Sequence, residues 1–385
     1  MPEKMGNGGT GPEEYDPTNG QYVADGEPNK RHDNPTENQG KITSNNNNKE
    51  ECVPLNDKKA NRTGVNKIVY DAAQNSKVEI PDNFEDAWNL FLQSCSIKHE
   101  KQKVGSDYSF DEKIAQPYIQ ENILKKIMED HWKKGQKIQF IYNPYNYYDI
   151  RGCDYWIFAK RKDGSLKRIS VDVKTNSSAL NPNNGGMEKG YKFVMHHYDF
   201  NNDSSSLGFF AKSKETGFYL FTTFYSNRAE NGQLQSPDEI DSTKNIFANT
   251  KTFMSELKNA TNFNGNDEDF RKHLTQQSEM LINFAKRFKN GESLEDLGKD
   301  FDLKMFNFNR NKNPNMVKSF SLNLGEFSKF ELKLDIYKDG KSQVYFNIDK
   351  MDEIGANMKR QGQAQMFKEN SGINKFAKKQ VESYK

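Results

Sequence analysis

The sequence predicts an α/β protein whose ordered core follows a long unstructured amino-terminal region. Apolar residues recur at helical spacing in residues 118–132, where Ile119, Ile123 and Ile127 form one stripe. Two β-branched runs follow, one on each side of the turn signal Lys162-Asp163-Gly164. Residues 1–80 are instead rich in Gly, Asn, Pro, Asp and Glu. They contain too few large apolar side chains to offset the entropy of an ordered chain, so we expect disorder there.

Composition sets the domain organisation. The chain has 385 residues, of which 34% are hydrophobic, and its mean hydropathy is -1.01. Such a chain is too polar to fold throughout, yet it is long enough for one core domain and an appendage. We therefore predict a disordered region over 1–80, a core over 81–250, a helical segment with strands over 251–356 and a basic tail over 357–385. The strands of the third part either complete the core sheet or form an accessory domain.

Charge and cysteine usage limit the possible partners. The net charge is +2, although residues 357–385 hold seven Lys or Arg against two Glu, a local charge of +5 that can attract phosphate groups. Cys52, Cys95 and Cys153 are too widely spaced for a zinc pattern and odd in number for a disulfide framework. No apolar run is long enough for a membrane span and no secretory signal is evident, so we expect a soluble, cytoplasmic protein.

The remaining elements follow from periodicity. A helix begins near Phe84, a strand covers 137–142, and a tyrosine-rich loop covers 145–148. The loop 177–190 is a candidate for closing over a substrate. Residues 207–210 and 218–223 read as a hairpin, 253–303 as helical, and 319–324, 330–337 and 343–348 as strands.

The hairpin around Lys162-Asp163-Gly164 carries the chemistry. If Gly164 takes the left-handed position of a three-residue loop, Arg161 faces Ser165 and Asp154 lies opposite Asp172. Alternation along the strands then places Asp154, Asp172 and Lys174 on one face. Tyr155, Ile157 and Ala159 share the other face with Val171, Ile169 and Lys167. Two opposed carboxylates repel each other, which predicts a bound metal or an altered pKa.

An acid followed two residues later by lysine is a weak signal by itself. The same spacing occurs at Asp57, Asp111, Glu256, Asp302, Glu331 and Asp339, where a solvated surface pair is the simplest interpretation. Asp172-Val173-Lys174 differs because it ends a β-branched strand in register with another acid. The alternative is a structural hairpin with surface charges.

This arrangement resembles the PD-(D/E)xK nuclease superfamily, which has the restriction-endonuclease-like fold. More narrowly, Gly152-Cys153-Asp154, the apolar strand, the turn and Val171-Asp172-Val173-Lys174 look like its phage-borne and mobile-element members. The resemblance covers residues 121–225. It implies that the 81–250 core has a mixed central β-sheet flanked by helices. Cys153 stands where the family usually has proline, a change that removes no ligand.

The resemblance implies a metal-dependent nuclease that acts on DNA in preference to RNA. Asp154 and Asp172 would hold Mg²⁺ or Mn²⁺, with the backbone carbonyl of Val173 as a further ligand. Lys174 would orient or activate the attacking water and offset charge on the phosphate. The family often has another acid on the preceding helix, which would be Glu121 here, with Glu129 as its competitor.

Two points stay open in the sequence. In the family, a lysine-bearing turn follows the next strand, so Lys212 or Lys214 is a candidate contact to the nucleic-acid backbone; a solvated turn is the alternative. A different class of function is also consistent with these residues, namely a non-catalytic nucleic-acid-binding or virion-associated protein that retains the fold.

Overall fold

The structure is a computed structural model that describes residues 14–16, 21–23, 63–75, 78–100, 111–149, 151–161, 164–180, 191–212, 216–226, 234, 236–309, 316–324, 330–348, 351–361 and 364–370. The chain divides into two compact units, residues 1–51 and 52–385. In the first unit, the described elements are strands β1 (Glu14–Asp16) and β2 (Gln21–Val23), which pair antiparallel with Tyr15 opposite Tyr22.

The described residues of the second unit form two six-stranded sheets. The first comprises β3 (Ile138–Tyr142), β4 (Tyr155–Lys160), β5 (Leu166–Leu180), β8 (Thr216–Tyr225), β9 (Ser242–Asn249) and β14 (Ala364–Asn370). The second comprises β6 (Tyr191–Asp199), β7 (Ser204–Leu207), β10 (Phe306–Asn309), β11 (Met316–Asn323), β12 (Phe330–Tyr337) and β13 (Lys341–Ile348). The first sheet has the order β14-β9-β8-β5-β4-β3, and the second has the order β10-β11-β12-β13-β6-β7.

Strand directions make the first sheet mixed. Strands β3, β4 and β5 form an antiparallel meander, whereas β5 and β8 run parallel. A parallel pair requires a crossover connection, and here the chain leaves the first sheet after β5, forms β6 and β7 in the second sheet, and returns as β8. The predicted α/β class with a mixed central sheet flanked by helices is thus observed, and β5 lies in its interior.

Helices cover both sheets. In the described residues they are α1 (Gly64–Ala73), α2 (Phe84–Cys95), α3 (residues 111–133), α4 (Asn146–Asp149), α5 (Phe209–Lys212), α6 (Thr250–Ala260), α7 (Asp267–Lys289), α8 (Leu294–Asp300) and α9 (Met351–Arg360). Helix α3 is continuous, with π turns at Asp111–Ala115 and Ile119–Leu124 alternating with α turns at Gln116–Tyr118 and Lys125–Lys133. Short 3₁₀ turns occupy Pro237–Glu239 and Leu303–Met305.

Three apolar clusters hold these layers together. The largest lies between the two sheets and includes Phe193 of β6, Tyr219 of β8 and Phe253 of α6. A second cluster packs α2 and α3 on the opposite face of the first sheet, against Tyr155 and Val171 among others. The third cluster joins α1 to Tyr148, Cys153, Trp156 and Phe158. The first sheet is therefore covered on both faces, which explains why β3, β4 and β8 are largely apolar along their whole length.

The predicted hairpin of residues 207–210 and 218–223 is wrong. Leu207 ends β7, which pairs with β6 in the second sheet, and the next residues turn into helix α5. A Cβ at Gly208 would lie 2.2 Å from the carbonyl oxygen of Val194, so only glycine permits this close approach. Phe210 then packs on Phe193, with ring centroids 5.2 Å apart. Packing against β6 has overridden the local strand pattern.

Strand pairing crosses the boundary predicted near residue 250. Strand β13 pairs with β6, and β14 pairs with β9. The strands predicted at 319–324, 330–337 and 343–348 all lie in the second sheet, and β14, from the region predicted as a basic tail, joins the first sheet. Within the predicted tail, residues 357–360 form the end of helix α9, and residues 364–370 form strand β14. Residues 371–385 lie outside the described residues, as does most of the loop 177–190.

Ordered structure begins earlier than Phe84. In helix α1, Val69, Ala72 and Ala73 are buried, and Val78 is buried just beyond it. The carbonyl oxygen of Ala73 accepts hydrogen bonds from the Tyr148 hydroxyl at 2.6 Å and from Arg168 Nη1 at 2.6 Å. Residues 63–75 and 78–80 therefore belong to the folded unit, and the expectation of disorder is wrong for them. The predicted disorder of residues 1–62 falls mainly outside the described residues.

Two truncations measure this contribution. Deleting residues 1–80 should lower the melting temperature by about 5–10 °C, since losing these buried side chains costs about 2–4 kcal/mol. Deleting residues 1–62 should leave the melting temperature nearly unchanged, and it serves as the control. The difference between the melting temperatures of the two truncated proteins, measured by differential scanning calorimetry, gives the contribution of residues 63–80 to stability. Equal melting temperatures would show that α1 does not stabilise the fold.

Candidate active site

The β4–β5 hairpin has the predicted register. Tyr155 pairs with Val171 and Ile157 with Ile169. The Arg161 amide donates to the Ser165 carbonyl at 2.7 Å, and Gly164 has a φ of +84°, in the left-handed region. A glycine is required there because other residues rarely adopt this conformation. The turn and the alternating pattern thus fix which residues meet at the far end of the hairpin.

Asp154 lies at the beginning of β4, where the ladder with β5 ends. Its amide donates to the Val171 carbonyl at 2.8 Å, and its own carbonyl accepts from the Asn143 amide at 3.0 Å. Its carboxylate Oδ2 accepts a hydrogen bond from the Val173 amide at 2.6 Å. The side chain therefore replaces the next backbone partner of β5, which fixes the carboxylate at the edge of that strand.

Asp172 and Lys174 form a buried ion pair on β5. Lys174 Nζ lies 2.7 Å from Asp172 Oδ1. The Asp172 side chain is 6% exposed and that of Lys174 is 23% exposed. Alternation along the strand puts both side chains on the face that carries Tyr219 of the neighbouring β8. The lysine is the more accessible member of the pair, so its ammonium group is nearer to solvent and to any ligand.

The electrostatics of the cluster are dominated by carboxylates. Burial raises the pKa of Asp172 to about 6, the nearby Lys174 opposes the rise, and Asp154 and Asp149 add to it. Burial lowers the pKa of Lys174, but attraction to Asp172 and Asp154 outweighs that effect and leaves this pKa above its ordinary value. Two carboxylates, those of Asp172 and Asp154, thus act on the ammonium group of Lys174. When these three groups are ionised they carry one net negative charge, which favours binding of a cation.

A cavity of about 90 Å³ lies beside Asp154, large enough for several water molecules. Its lining includes Asp149, Asp154, Val173 and Thr175 from the sheet and its loops, and Gln116 and His99 from the helical layer. The π turns of α3 lie at its wall, where Ala115 and Ile119 also contact the space. Asp149 and Asp154 supply carboxyl groups to this wall, whereas Asp172 and Lys174 do not line the cavity.

Strand β5 presents an open edge to this cavity. The ladder with β4 ends at the pair Tyr155–Val171, whereas β5 continues beside β8 to Leu180. The amide and the carbonyl of one strand residue point to the same side. Because the Val173 amide points to Asp154, the Val173 carbonyl also points out of this edge. The predicted backbone ligand therefore lies on the same strand edge as the Asp154 carboxylate.

The donor set is compatible with a hard cation. Mg²⁺ is commonly held by one or two carboxylates together with water and substrate oxygens. Asp154, Asp172 and the Val173 carbonyl supply such a set, and the excess negative charge favours it. Among the described residues, no three His, Cys, Asp or Glu side chains are grouped closely enough to hold a metal ion by themselves. A metal here would therefore complete its coordination with water or phosphate.

Glu121 does not join this group. It is exposed on α3 and is not among the residues that line the cavity. Its neighbour Gln120 is buried instead and donates to the Tyr155 hydroxyl at 3.2 Å. Glu129 lies about two turns away along α3 and pairs with Lys133 at 3.3 Å. The helix thus directs Gln120 toward the sheet, while Glu121 is exposed.

Sequence reasoning missed Asp149 and His99. Asp149 ends the short helix α4 in the loop between β3 and β4, and it acts electrostatically on Asp172. His99 follows α2 and contributes to the cavity wall. Neither belongs to a periodic segment, and only the packing of separate loops brings them to the site. The tyrosine-rich composition of residues 145–148 was the one local signal near Asp149.

The predicted lysine contacts fall at the limit of the described structure. Lys212 ends helix α5, but its side chain lies outside the described residues, as does all of Lys214. Cys153 is a buried packing residue in the cluster with Trp156.

Other acid-x-lysine triplets have different surroundings. Glu331 and Lys333 lie on β12 with their charged atoms 3.8 Å apart. Asp302 caps a 3₁₀ turn, and Asp339 accepts from the Lys341 amide in a hairpin. These acids serve local structure. Asp172 differs because it is buried beside two further carboxylates.

No helix in the part of the chain that the structure describes is long and apolar enough to cross a membrane. Comparison of the chain with known family models, curated proteins and solved structures finds no match. The fold and the site therefore define the molecule as an α/β protein with a buried carboxylate–lysine cluster at the end of a strand hairpin, and its function has to be argued from that cluster.

Proposed function

We propose that the chain is a metal-dependent nuclease that hydrolyses phosphodiester bonds, with DNA preferred over RNA and with a restriction-endonuclease-like core of the phage or mobile-element type. One observation carries the proposal. Asp154 and the Asp172–Lys174 pair converge at the open edge of an interior strand, with more negative than positive charge. A net negative charge around a buried carboxylate attracts a cation, and a carboxyl group with a raised pKa beside a cavity is typical of functional sites.

Each residue has a distinct role in this proposal. Asp154, Asp172 and the Val173 carbonyl would hold Mg²⁺ or Mn²⁺. When bound, the metal would supply charge neutralisation and a more acidic water. Lys174, beside Asp172, would hold the attacking water by a hydrogen bond and offset charge on the phosphate. Asp149 adds negative charge nearby, which strengthens attraction for the cation.

The second candidate is a non-catalytic nucleic-acid-binding or virion-associated protein that retains the fold. The closed Asp172–Lys174 contact favours it, because an ion pair of 2.7 Å with a nearly fully buried carboxylate satisfies both groups without a ligand. Under this alternative the pair is structural, and the basic segment near the carboxyl terminus would provide the affinity for phosphate.

A direct assay separates the two candidates. Purified protein is incubated with supercoiled plasmid, linear duplex, single-stranded and branched DNA, and with RNA, in Mg²⁺ or Mn²⁺. We expect cleavage of at least one DNA substrate and its loss in EDTA. Binding of DNA without cleavage in either metal would support the non-catalytic alternative and overturn the nuclease proposal.

A further inference from the structure

His99 occupies a fixed position at the cavity beside Asp154. It lies in the loop that follows helix α2, and that loop is tied to the β3–β4 connection at two points. The Glu100 amide donates to the Pro144 carbonyl at 2.9 Å, and Glu100 Oε2 accepts from the Asn146 amide at 3.0 Å. The residue next to His99 thus anchors the loop, and His99 is one of the residues that line the cavity.

The cavity and Lys174 lie on opposite faces of strand β5. Tyr142, Tyr155 and Val173 all pack with the helical layer, and they also line the cavity. Lys174 follows Val173 directly, so its side chain points to the other face, where Tyr219 contributes to its electrostatics. The open edge of β5, with the Asp154 carboxylate, lies between the two faces. A phosphate at this edge would have Lys174 on one side and His99 on the other.

Phosphoryl transfer gives this arrangement a chemical meaning. The attacking and leaving oxygens lie roughly in line on opposite sides of phosphorus. If Lys174 serves the attacking water, the leaving oxygen faces the cavity. We propose that His99 is the proton donor to the leaving sugar oxygen, an inference that rests on the proposed nuclease function.

The step balances as follows. The water oxygen forms a bond to phosphorus, and the bond between phosphorus and the sugar oxygen breaks with its electron pair retained by that oxygen. The imidazolium of His99 donates a proton to this oxygen to give a free hydroxyl, and solvent returns a proton to the imidazole. The proton lost by the attacking water passes to solvent on the Lys174 side.

Other residues of the cavity wall are less suited to this role. The Tyr155 hydroxyl is buried, and burial raises its pKa well above the ordinary value, which makes it a weak proton donor. The side-chain amide of Asn143 donates to the Cys153 carbonyl at 2.6 Å and has no acidic proton. Asp149 would add a negative charge beside a leaving oxyanion. An imidazole can donate a proton at one nitrogen and recover it at the same atom.

The test compares two leaving groups. Plasmid DNA releases a sugar alkoxide, which needs a proton, whereas bis(4-nitrophenyl) phosphate releases a nitrophenolate, which does not. His99→Ala and His99→Gln should each slow DNA cleavage by about 100-fold, yet change cleavage of the nitrophenyl ester by less than about threefold. Added imidazole should restore at least about tenfold of the DNA cleavage lost in His99→Ala. Melting temperature and DNA affinity in EDTA, measured by fluorescence anisotropy, should match wild type.

The outcomes are distinguishable. Equal losses on both substrates, or no rescue by imidazole, would assign His99 a positioning role and overturn the inference. Unchanged DNA cleavage in His99→Ala would overturn it as well. If the nitrophenyl ester is not a substrate of the wild type, imidazole rescue on DNA decides alone. Wild-type protein that cleaves no nucleic acid would instead remove the nuclease proposal itself, and with it this inference.

Discussion

Asp172→Asn is expected to abolish metal-dependent cleavage, with a loss of at least about 10³-fold in rate. The amide keeps the size of the side chain and can still contact Lys174, but it removes the negative charge from a buried position next to Asp154. A hard cation binds a neutral amide oxygen less tightly than a carboxylate. Single-turnover cleavage of the best DNA substrate measures the effect.

Asp335→Asn provides a matched control. Asp335 is also a buried aspartate in a central strand, and its carboxylate accepts from Ser319 at 2.8 Å and Tyr345 at 2.8 Å. It lies on β12 of the second sheet, away from the cluster around Asp154. Its substitution should leave the cleavage rate near that of wild type at temperatures where the variant is folded. Equal losses in both variants would show that the effect of Asp172→Asn comes from stability.

The pH dependence of stability provides a second readout for Asp172. In the folded protein the pKa of Asp172 is raised from the ordinary 3.8 to about 6, so the folded state binds more protons than the unfolded chain between these values. Protonation of Asp172 therefore stabilises the folded protein below pH 3.8, and this stabilisation is lost as the pH rises toward about 6. In EDTA, the difference in unfolding free energy between wild type and Asp172→Asn should fall by at most about 3 kcal/mol across this window.

The hairpin could be predicted because its information is local. Gly164 selects the turn, alternation of apolar residues selects the face, and together they place Asp154 near Asp172 without reference to the rest of the chain. Helical spacing of apolar residues, which is also local information, predicted the apolar stripe of α3. It could not place Glu121, because a residue bordering the stripe can point either way, and here Gln120 faces the sheet.

Long-range pairing explains most of what the sequence did not reveal. Strand β6 pairs with β13, and β9 pairs with β14, across more than a hundred residues in each case. Such pairings depend on which apolar faces meet and leave no local pattern. Helix α1 was missed for a related reason, since it buries small residues such as Ala72 and Ala73 that hardly change the composition of a polar region.

Two residues of the cavity wall could not be predicted from the sequence for the same reason. His99 and Asp149 come from two loops that are joined by the hydrogen bonds of Glu100. Sequence spacing relates neither residue to Asp172. Motif reasoning could find Asp154, Asp172 and Lys174 because one hairpin carries them, whereas the positions of His99 and Asp149 depend on tertiary packing.

The second large effect separates the roles of Lys174 and Asp154. Lys174→Met should lower the cleavage rate by about 10²–10⁴-fold. It should leave metal affinity unchanged or slightly higher, because the ammonium group competes with a cation for Asp172. Methionine retains much of the buried length of the side chain. Lys333→Met on β12 is the matched control, since Lys333 belongs to another acid-x-lysine pair and its loss should not alter cleavage.

Asp154→Asn, unlike Lys174→Met, should weaken the binding of the metal itself. The amide oxygen can still accept the hydrogen bond from the Val173 amide, so the end of the β4–β5 ladder is preserved. Metal affinity should nevertheless fall by at least about tenfold, because a charged ligand of a hard cation has been lost. Calorimetric titration with Mn²⁺ and single-turnover cleavage are measured on both variants. Wild-type cleavage by Lys174→Met, or wild-type metal affinity in Asp154→Asn, would place the metal elsewhere and leave the Asp172–Lys174 pair with a structural role.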